Sequence, residues 1–118
     1  MRILLVLLLA FPSLSVTACG GEVAPQFTGA QRLANADRST DAAAYQRAID
    51  ALSAKCSNPP DNIPNIVQGT LKVLNDGGVH DETNMSVLQN LSDSLPEGAP
   101  KMDCVDIGGV YVTLRTNS

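Results

Sequence analysis

The sequence has no tryptophan, only two phenylalanines and two tyrosines, and no run of lysine or arginine. Few aromatic rings leave little surface for stacking on bases or sugars. Twelve acidic residues outnumber eight basic ones, so the formal net charge is −4. Binding to nucleic acid, and electrostatic attraction to anionic lipid, both depend on clustered positive charge. We therefore expect no nucleic-acid partner and no charge-driven adhesion to lipid.

Histidine is nearly absent as well, and residues of catalytic type cluster only at His80, Asp81 and Glu82. One histidine does not make a usual zinc site, which needs three or four ligands. The glycine and carboxylate spacing of a calcium loop is missing around the nearby Asp76. No serine nucleophile elbow, Cys–His pair or phosphate-binding glycine loop occurs. The sequence predicts a solvated turn here, with no catalytic residue, metal site or cofactor.

Long hydrophobic runs are limited to residues 3–11, which follow Arg2 and end at Pro12. This run is far shorter than the roughly 20 residues that cross a bilayer as a helix. A positive residue, a short apolar run and then small residues are typical of a signal peptide.

Val16-Thr17-Ala18-Cys19 resembles the lipobox of bacterial lipoprotein precursors, which has an aliphatic residue, two small residues and a cysteine. The resemblance implies that the thiol of Cys19 receives diacylglycerol and that residues 1–18, the signal peptide, are then removed. Two or three acyl chains would anchor the protein stably to the membrane, facing the extracytoplasmic side. The alternative is an ordinary secretory signal with a cysteine near its cleavage site.

Cys56 and Cys104 remain once Cys19 carries lipid. In an oxidising compartment they are expected to pair as a disulfide. Closing the loop of residues 56–104 would stabilise the fold by about 4 kcal/mol in the chain-entropy model. Two free buried thiols are the alternative, whereas a redox or metal pair is not expected without CxxC spacing. The roughly 100 residues of the mature chain suit one small domain, for which such a cross-link helps.

Residues 19–39 are interpreted as the lipidated cysteine followed by a flexible tether. They are rich in Gly, Ala, Gln, Asn and Thr and include Pro25. A short helix over residues 30–37 is the alternative, but it would have only Leu33 to bury. The folded domain is expected to span residues 40–116.

Within residues 40–116, apolar side chains recur at helical spacing in three segments, each bounded by proline or glycine. Thr40, then Asp61 or Asn62, and then Asp81 are the expected N-caps. Gly69 is interpreted as a close contact between helices. The three predicted stripes are Tyr45, Ala48, Ile49, Leu52 and Cys56; Ile63, Ile66, Val67, Thr70, Leu71 and Leu74; and Met85, Leu88, Leu91 and Leu95.

The last segment, residues 102–115, is ambiguous. Asp103 is a suitable cap for a helix, yet residues 110–114 are β-branched and alternate as a strand would. A helix is favoured because a lone strand has no partner upstream. Its predicted stripe is Cys104, Ile107, Gly108, Tyr111 and Leu114.

These segments predict an all-α fold, a small four-helix up-down bundle with one disulfide, after a signal peptide and a flexible tether. In that topology Cys56 and Cys104 lie at one end of the bundle, and the chain enters at the other. We expect the loops at the disulfide end, residues 57–61 and 96–101, to point away from the membrane and to be available to a partner, with a helix face as the alternative docking surface.

The expected function is non-enzymatic: a membrane-tethered module of the cell envelope that binds or assists an envelope protein. Two alternatives remain. One is a carrier of an apolar small molecule, in a cavity lined by Ile66, Leu71, Leu88 and Tyr111. The other is a small enzyme or metal-dependent factor centred on His80. Residues 44–56, 87–96 and 104–115 also resemble small actinobacterial lipoproteins of unknown function, a likeness that implies no activity.

Overall fold

The computed structural model describes residues 28–117. Cys19, the lipobox and residues 20–27 of the predicted tether lie outside the described residues. The described part is all-helical, as predicted, and contains no strand. It has five α-helices where four were expected. They are α1 (Gly29–Ala36), α2 (Ala42–Ser53), α3 (Ile63–Asp76, preceded by a 3-10 turn at Pro60–Asn62), α4 (Asn84–Asp93) and α5 (Cys104–Thr116). None of these helices is long and apolar enough to cross a membrane.

Helix α1 occupies part of the segment predicted to be a tether, so that prediction is wrong for residues 29–36. Thr28 and Gln31 form a reciprocal capping box at its start. Leu33 is fully buried, and Ala30 and Ala34 on the same face are nearly so. The sequence reading counted only the leucine, whereas the alanines add apolar surface and let α1 lie close to its neighbours. The part of the domain that the structure describes therefore includes α1 and starts at Thr28.

The predicted stripes of α2, α3 and α4 do form the core, although the caps differ. Asn62 takes the N-cap position of α3, but its side chain makes no capping hydrogen bond. Asp41, not Thr40, caps α2 through the amide of Ala44. Thr83, not Asp81, caps α4 in a capping box with Ser86. The buried members of the three stripes are Tyr45, Ile49, Leu52, Cys56, Ile63, Val67, Thr70, Leu74, Leu88, Leu91 and Leu95.

The ambiguous last segment is helical, and Asp103 caps it through the amide of Val105, as expected for the helix. Cys104 and Gly108 are buried, and Ile107 and Tyr111 are half-buried. Leu114 is 66% exposed, so its predicted place in the core is wrong. Helix α5 packs mainly against α3 and α4, and Leu114 lies on the side that neither of them covers.

Helices α3 and α5 run parallel and approach each other closely at two glycines, Gly108 of α5 and Gly77 just after α3. A Cβ atom added at Gly108 would lie 2.7 Å from Oγ1 of Thr70, and one added at Gly77 would lie 2.9 Å from Cγ2 of Thr116. Gly69, interpreted as the contact glycine, is not: a Cβ atom there would meet nothing within 4 Å. The close approach therefore depends on Gly108 and Gly77 rather than on Gly69.

The Cys56–Cys104 disulfide is present and fully buried. Beside it, the amide of Ser57 donates to the carbonyl of Met102 at 2.7 Å, and the amide of Met102 donates to the carbonyl of Lys55 at 3.2 Å. We call this region, with the adjoining starts of α3 and α5, the stapled end.

The described chain also begins at the stapled end, contrary to expectation. Gly29 lies against the ring of Pro64, and Thr28 lines one surface depression together with Pro60 and Asp61. The reason is that α1 precedes the first predicted helix. Because the described chain has one helix more than expected, it starts at the opposite end.

Candidate functional site

The surface of α5 is apolar on nearly every side. Val105 and Val110 are each 57% exposed, and Val73 of the neighbouring α3 is 51% exposed. A helix that is hydrophobic all round is normally covered on all sides. Contiguous exposed apolar surface is a mark of an interaction site. This face is the strongest candidate for a functional surface among the described residues.

A groove of about 530 Å³ runs between α3 and α5 at this face. It is open to solvent, and no charged side chain lines it. We call it the α3–α5 groove. Its lining consists of Asn65, Ile66, Gly69, Thr70, Val73, Val105, Gly108, Gly109 and Val112.

Two glycines of the groove are not required by the packing of the described residues. A Cβ atom at Gly69 or at Gly109 would have no neighbour within 4 Å. Each glycine inside a helix costs about 1 kcal/mol relative to alanine. Their effect is to leave the backbone of both helices open to close approach from outside.

Charged residues of both signs lie at the stapled end. Asp103 and Asp106 lie at the start of α5, with Lys101 just before them, and Asp61 precedes α3 but lines the depression beside α1. The pKa of Asp103 is lowered, first by the Asn58 side chain and then by the amide of Val105. The parallel direction of α3 and α5 brings these acids to the same end.

The far end of the groove also carries charges of both signs. Lys72 of α3 forms a 2.7 Å ion pair with Asp76 one turn later. Hydrogen bonding to that carboxylate raises the pKa of Lys72. Near the end of α5, Arg115 pairs with Asp81 and Glu82.

His80 is exposed, as the solvated turn requires. The carboxylates beside it face other partners: Asp81 bonds Arg115 at 2.6 Å, and Glu82 accepts from Tyr111. Salt bridging to Arg115 lowers the pKa of Asp81, and burial, followed by Glu82, raises that of Tyr111. No group of three or more His, Cys, Asp or Glu within residues 28–117 is placed to hold a metal ion. This cluster fastens α5 to the turn before α4.

A second polar cluster, centred on Asp37, was missed because Asp37 was placed in the tether. Its carboxylate accepts from the amides of Asn84 and Met85, both at 2.9 Å, and from the hydroxyl of Tyr45 at 2.7 Å. A negative charge at the start of α4 suits the helix dipole. Burial, and then Asp37, raise the pKa of Tyr45 to about 12. The cluster joins α1, α2 and α4.

The cavity expected for a small-molecule carrier does not form from the four predicted residues. Ile66 lines the α3–α5 groove, Leu88 lines a depression between α2 and α4, and Leu71 lines another beside α1. Tyr111 is instead engaged by Glu82 and Asn90. These side chains share no common space.

The α3–α5 groove was not found from the sequence. The signal for it in the sequence is that α5 has apolar residues outside its predicted stripe, at Val105, Val110 and Val112. The chain matches no protein-family model, and no curated protein or solved structure is significantly similar to it. Its function is therefore argued from its own residues.

Proposed function

We propose that this chain is a lipid-anchored, extracytoplasmic domain that binds another protein of the cell envelope through the α3–α5 groove. The uncovered apolar face of α5 carries the binding proposal, since exposed valines on one continuous face favour a protein partner. The lipobox-like Val16 to Cys19 supports the anchor. The buried Cys56–Cys104 disulfide favours an oxidising compartment.

The arrangement of anchor and groove supports this function. Eight residues, 20–27, separate the acylated cysteine from Thr28, and the nine steps between their Cα atoms allow a reach of about 30 Å. The domain would stay near the membrane, where confinement raises the effective concentration of a membrane-bound partner. We also infer that α2 to α5 form the up-down bundle, with α1 packed onto it.

Acylation of Cys19 is tested by growing cells with an alkyne-bearing fatty acid and analysing the mature N-terminus by mass spectrometry. We expect an acylated Cys19 as the first residue, and loss of the label in a Cys19→Ser variant. An unmodified N-terminus at another position would contradict the anchor.

Binding is tested in intact cells with a photo-crosslinking amino acid at Val105, which is exposed at the groove. The control carries the same group at Ala43, which is exposed on α2. We expect a discrete crosslinked partner from Val105 only, and its loss when Val73→Asp places a charge in the groove. Equal capture from both positions, or recovery of a bound apolar small molecule instead of a protein, would contradict the proposal.

A further inference from the structure

We infer that the second half of α5, residues 109–116, opens away from α3 and α4 as a separate unit, with a hinge at Gly108 and Gly109 and with Glu82 holding it closed. The first half of α5 stays in place when this happens. The inference goes beyond the proposed function and does not depend on it. Because α5 forms one wall of the α3–α5 groove, the opening removes the groove and controls access to it.

The start of α5 is fixed to the domain. Cys104 is joined to Cys56 by the buried disulfide. The side chain of Asn58 accepts from the amide of Cys104 at 2.8 Å and donates to Asp103 at 3.1 Å. A covalent bond and hydrogen bonds therefore keep this end of the helix in place, whatever the rest of α5 does.

The second half of α5 buries little apolar surface. The two buried residues of the helix, Cys104 and Gly108, both lie in its first half. The second half has only half-buried or exposed side chains, whereas the neighbouring α4 buries Val87, Leu88 and Leu91. Segments with few buried apolar contacts open locally at a lower free energy than the core does. We therefore expect residues 109–116 to open before the rest of the domain unfolds.

Two successive glycines separate the fixed start of α5 from this weakly buried half. Glycine gives the backbone conformational freedom, and sharp bends in helices occur where small residues such as glycine are paired. The carbonyl of Gly109 also accepts from the hydroxyl of Thr113 at 3.0 Å, a contact that weakens and often bends a helix. These features place the hinge at Gly108 and Gly109.

One carboxylate holds the second half in place. Glu82, in the turn before α4, accepts from the hydroxyl of Tyr111, and its Oε2 atom lies 3.2 Å from Nε of Arg115. The hydroxyl of Ser86 donates to the other oxygen of Glu82 and orients it. The Glu82 side chain is only 5% exposed, so solvent screens these contacts little. Losing such an acceptor costs more than losing an exposed ion pair, and Glu82 is therefore the group that keeps α5 closed.

The opening is tested by amide hydrogen exchange, followed by NMR on the full secreted chain in its oxidised form, with Cys19→Ser so that no lipid is attached. A detached segment of eight residues is too short to stay helical in water, so its amides exchange when it opens. After correction for intrinsic rates, we expect the amides of residues 112–115 to exchange at least tenfold faster than those of residues 67–74 in α3. They should share one free energy of opening, with a weaker dependence on guanidinium concentration than the α3 amides show.

Three variants test the role of Glu82. Glu82→Gln keeps the size of the side chain and removes its charge, so it should speed exchange of residues 112–115 at least tenfold and leave α2 and α3 unchanged. Tyr111→Phe should give a smaller increase in the same residues. Asp76→Asn is the matched control, because it removes an exposed carboxylate that pairs with Lys72 on α3, and it should leave exchange in α5 unaltered.

A steady increase of exchange rates toward Thr116 would indicate only fraying of a helix end, and one free energy shared by α3 and α5 would indicate only global unfolding. Either result would overturn the inference, as would equal acceleration of α2, α3 and α5 by Glu82→Gln. If Val105 captures no protein in cells while the exchange results are as expected, the proposed function is wrong and the opening of α5 stands.

Discussion

Replacing Gly108 and Gly109 in turn by alanine should change stability in opposite directions, although the two residues are neighbours in α5. Both substitutions recover about 1 kcal/mol of helix propensity. At Gly109 the new Cβ atom meets nothing within 4 Å, so Gly109→Ala should stabilise the domain by about 1 kcal/mol.

At Gly108 the new methyl group would lie 2.7 Å from Oγ1 of Thr70. That hydroxyl donates to the carbonyl of Ile66 at 2.8 Å, so turning Thr70 away breaks a hydrogen bond. The alternative is to separate α3 from α5. Overpacking of this kind costs about 1–3 kcal/mol. Both variants share the gain in helix propensity, so Gly108→Ala should be about 1–3 kcal/mol less stable than Gly109→Ala and about 0–2 kcal/mol less stable than the unsubstituted domain.

The assay is guanidinium unfolding followed by circular dichroism at 222 nm under non-reducing conditions. In a Thr70→Ala background the clash is removed, and Gly108→Ala should then behave much as Gly109→Ala does. Equal stability of the two single variants, or no relief from Thr70→Ala, would refute the packing argument.

Replacing Cys56 and Cys104 together by serine should lower the free energy of unfolding by about 2–5 kcal/mol. In the unsubstituted protein, non-reducing peptide mapping should recover the two cysteines in one linked peptide. Asp37→Ala should destabilise the domain by about 2–3 kcal/mol in thermal unfolding, because the amides of Asn84 and Met85 at the start of α4 lose their hydrogen-bond acceptor. A neutral effect would contradict the role assigned to Asp37. Absorbance titration should show Tyr45 ionising near pH 12. Because folding raises this pKa from 10.0, the neutral Tyr45 hydroxyl makes its full contribution to the free energy of unfolding below about pH 10. The free energy of unfolding should fall by about 2–3 kcal/mol as the pH rises from 10 to 12, and this fall should be absent in Tyr45→Phe.

The positions of four helices could be predicted because their apolar spacing is local. Tyr45, Ile49 and Leu52 recur at helical intervals and are buried as expected. Asp103 was also recognised as the cap of α5, since a cap and its amide are two residues apart. Such features depend on neighbours within one or two turns.

The capping of α4 shows where local reasoning failed. Asp81 is a good capping residue by type, but it is drawn to Arg115, 34 residues later, and Thr83 takes the role. Asp37 serves α4 from 47 residues earlier, and its own helix was hidden by a polar composition. Contacts at this separation leave no periodic trace in the sequence.

The sequence by itself determined the helical class, most of the core and the pairing of Cys56 with Cys104, because periodicity and cysteine count need no knowledge of neighbours. Only the tertiary structure decided that α1 belongs to the domain, that the described chain starts at the stapled end, and that no described residue covers Leu114 or the α3–α5 groove. The physical reason is that an apolar residue in the sequence indicates only a tendency to be buried, whereas its actual burial depends on whether another helix packs against it.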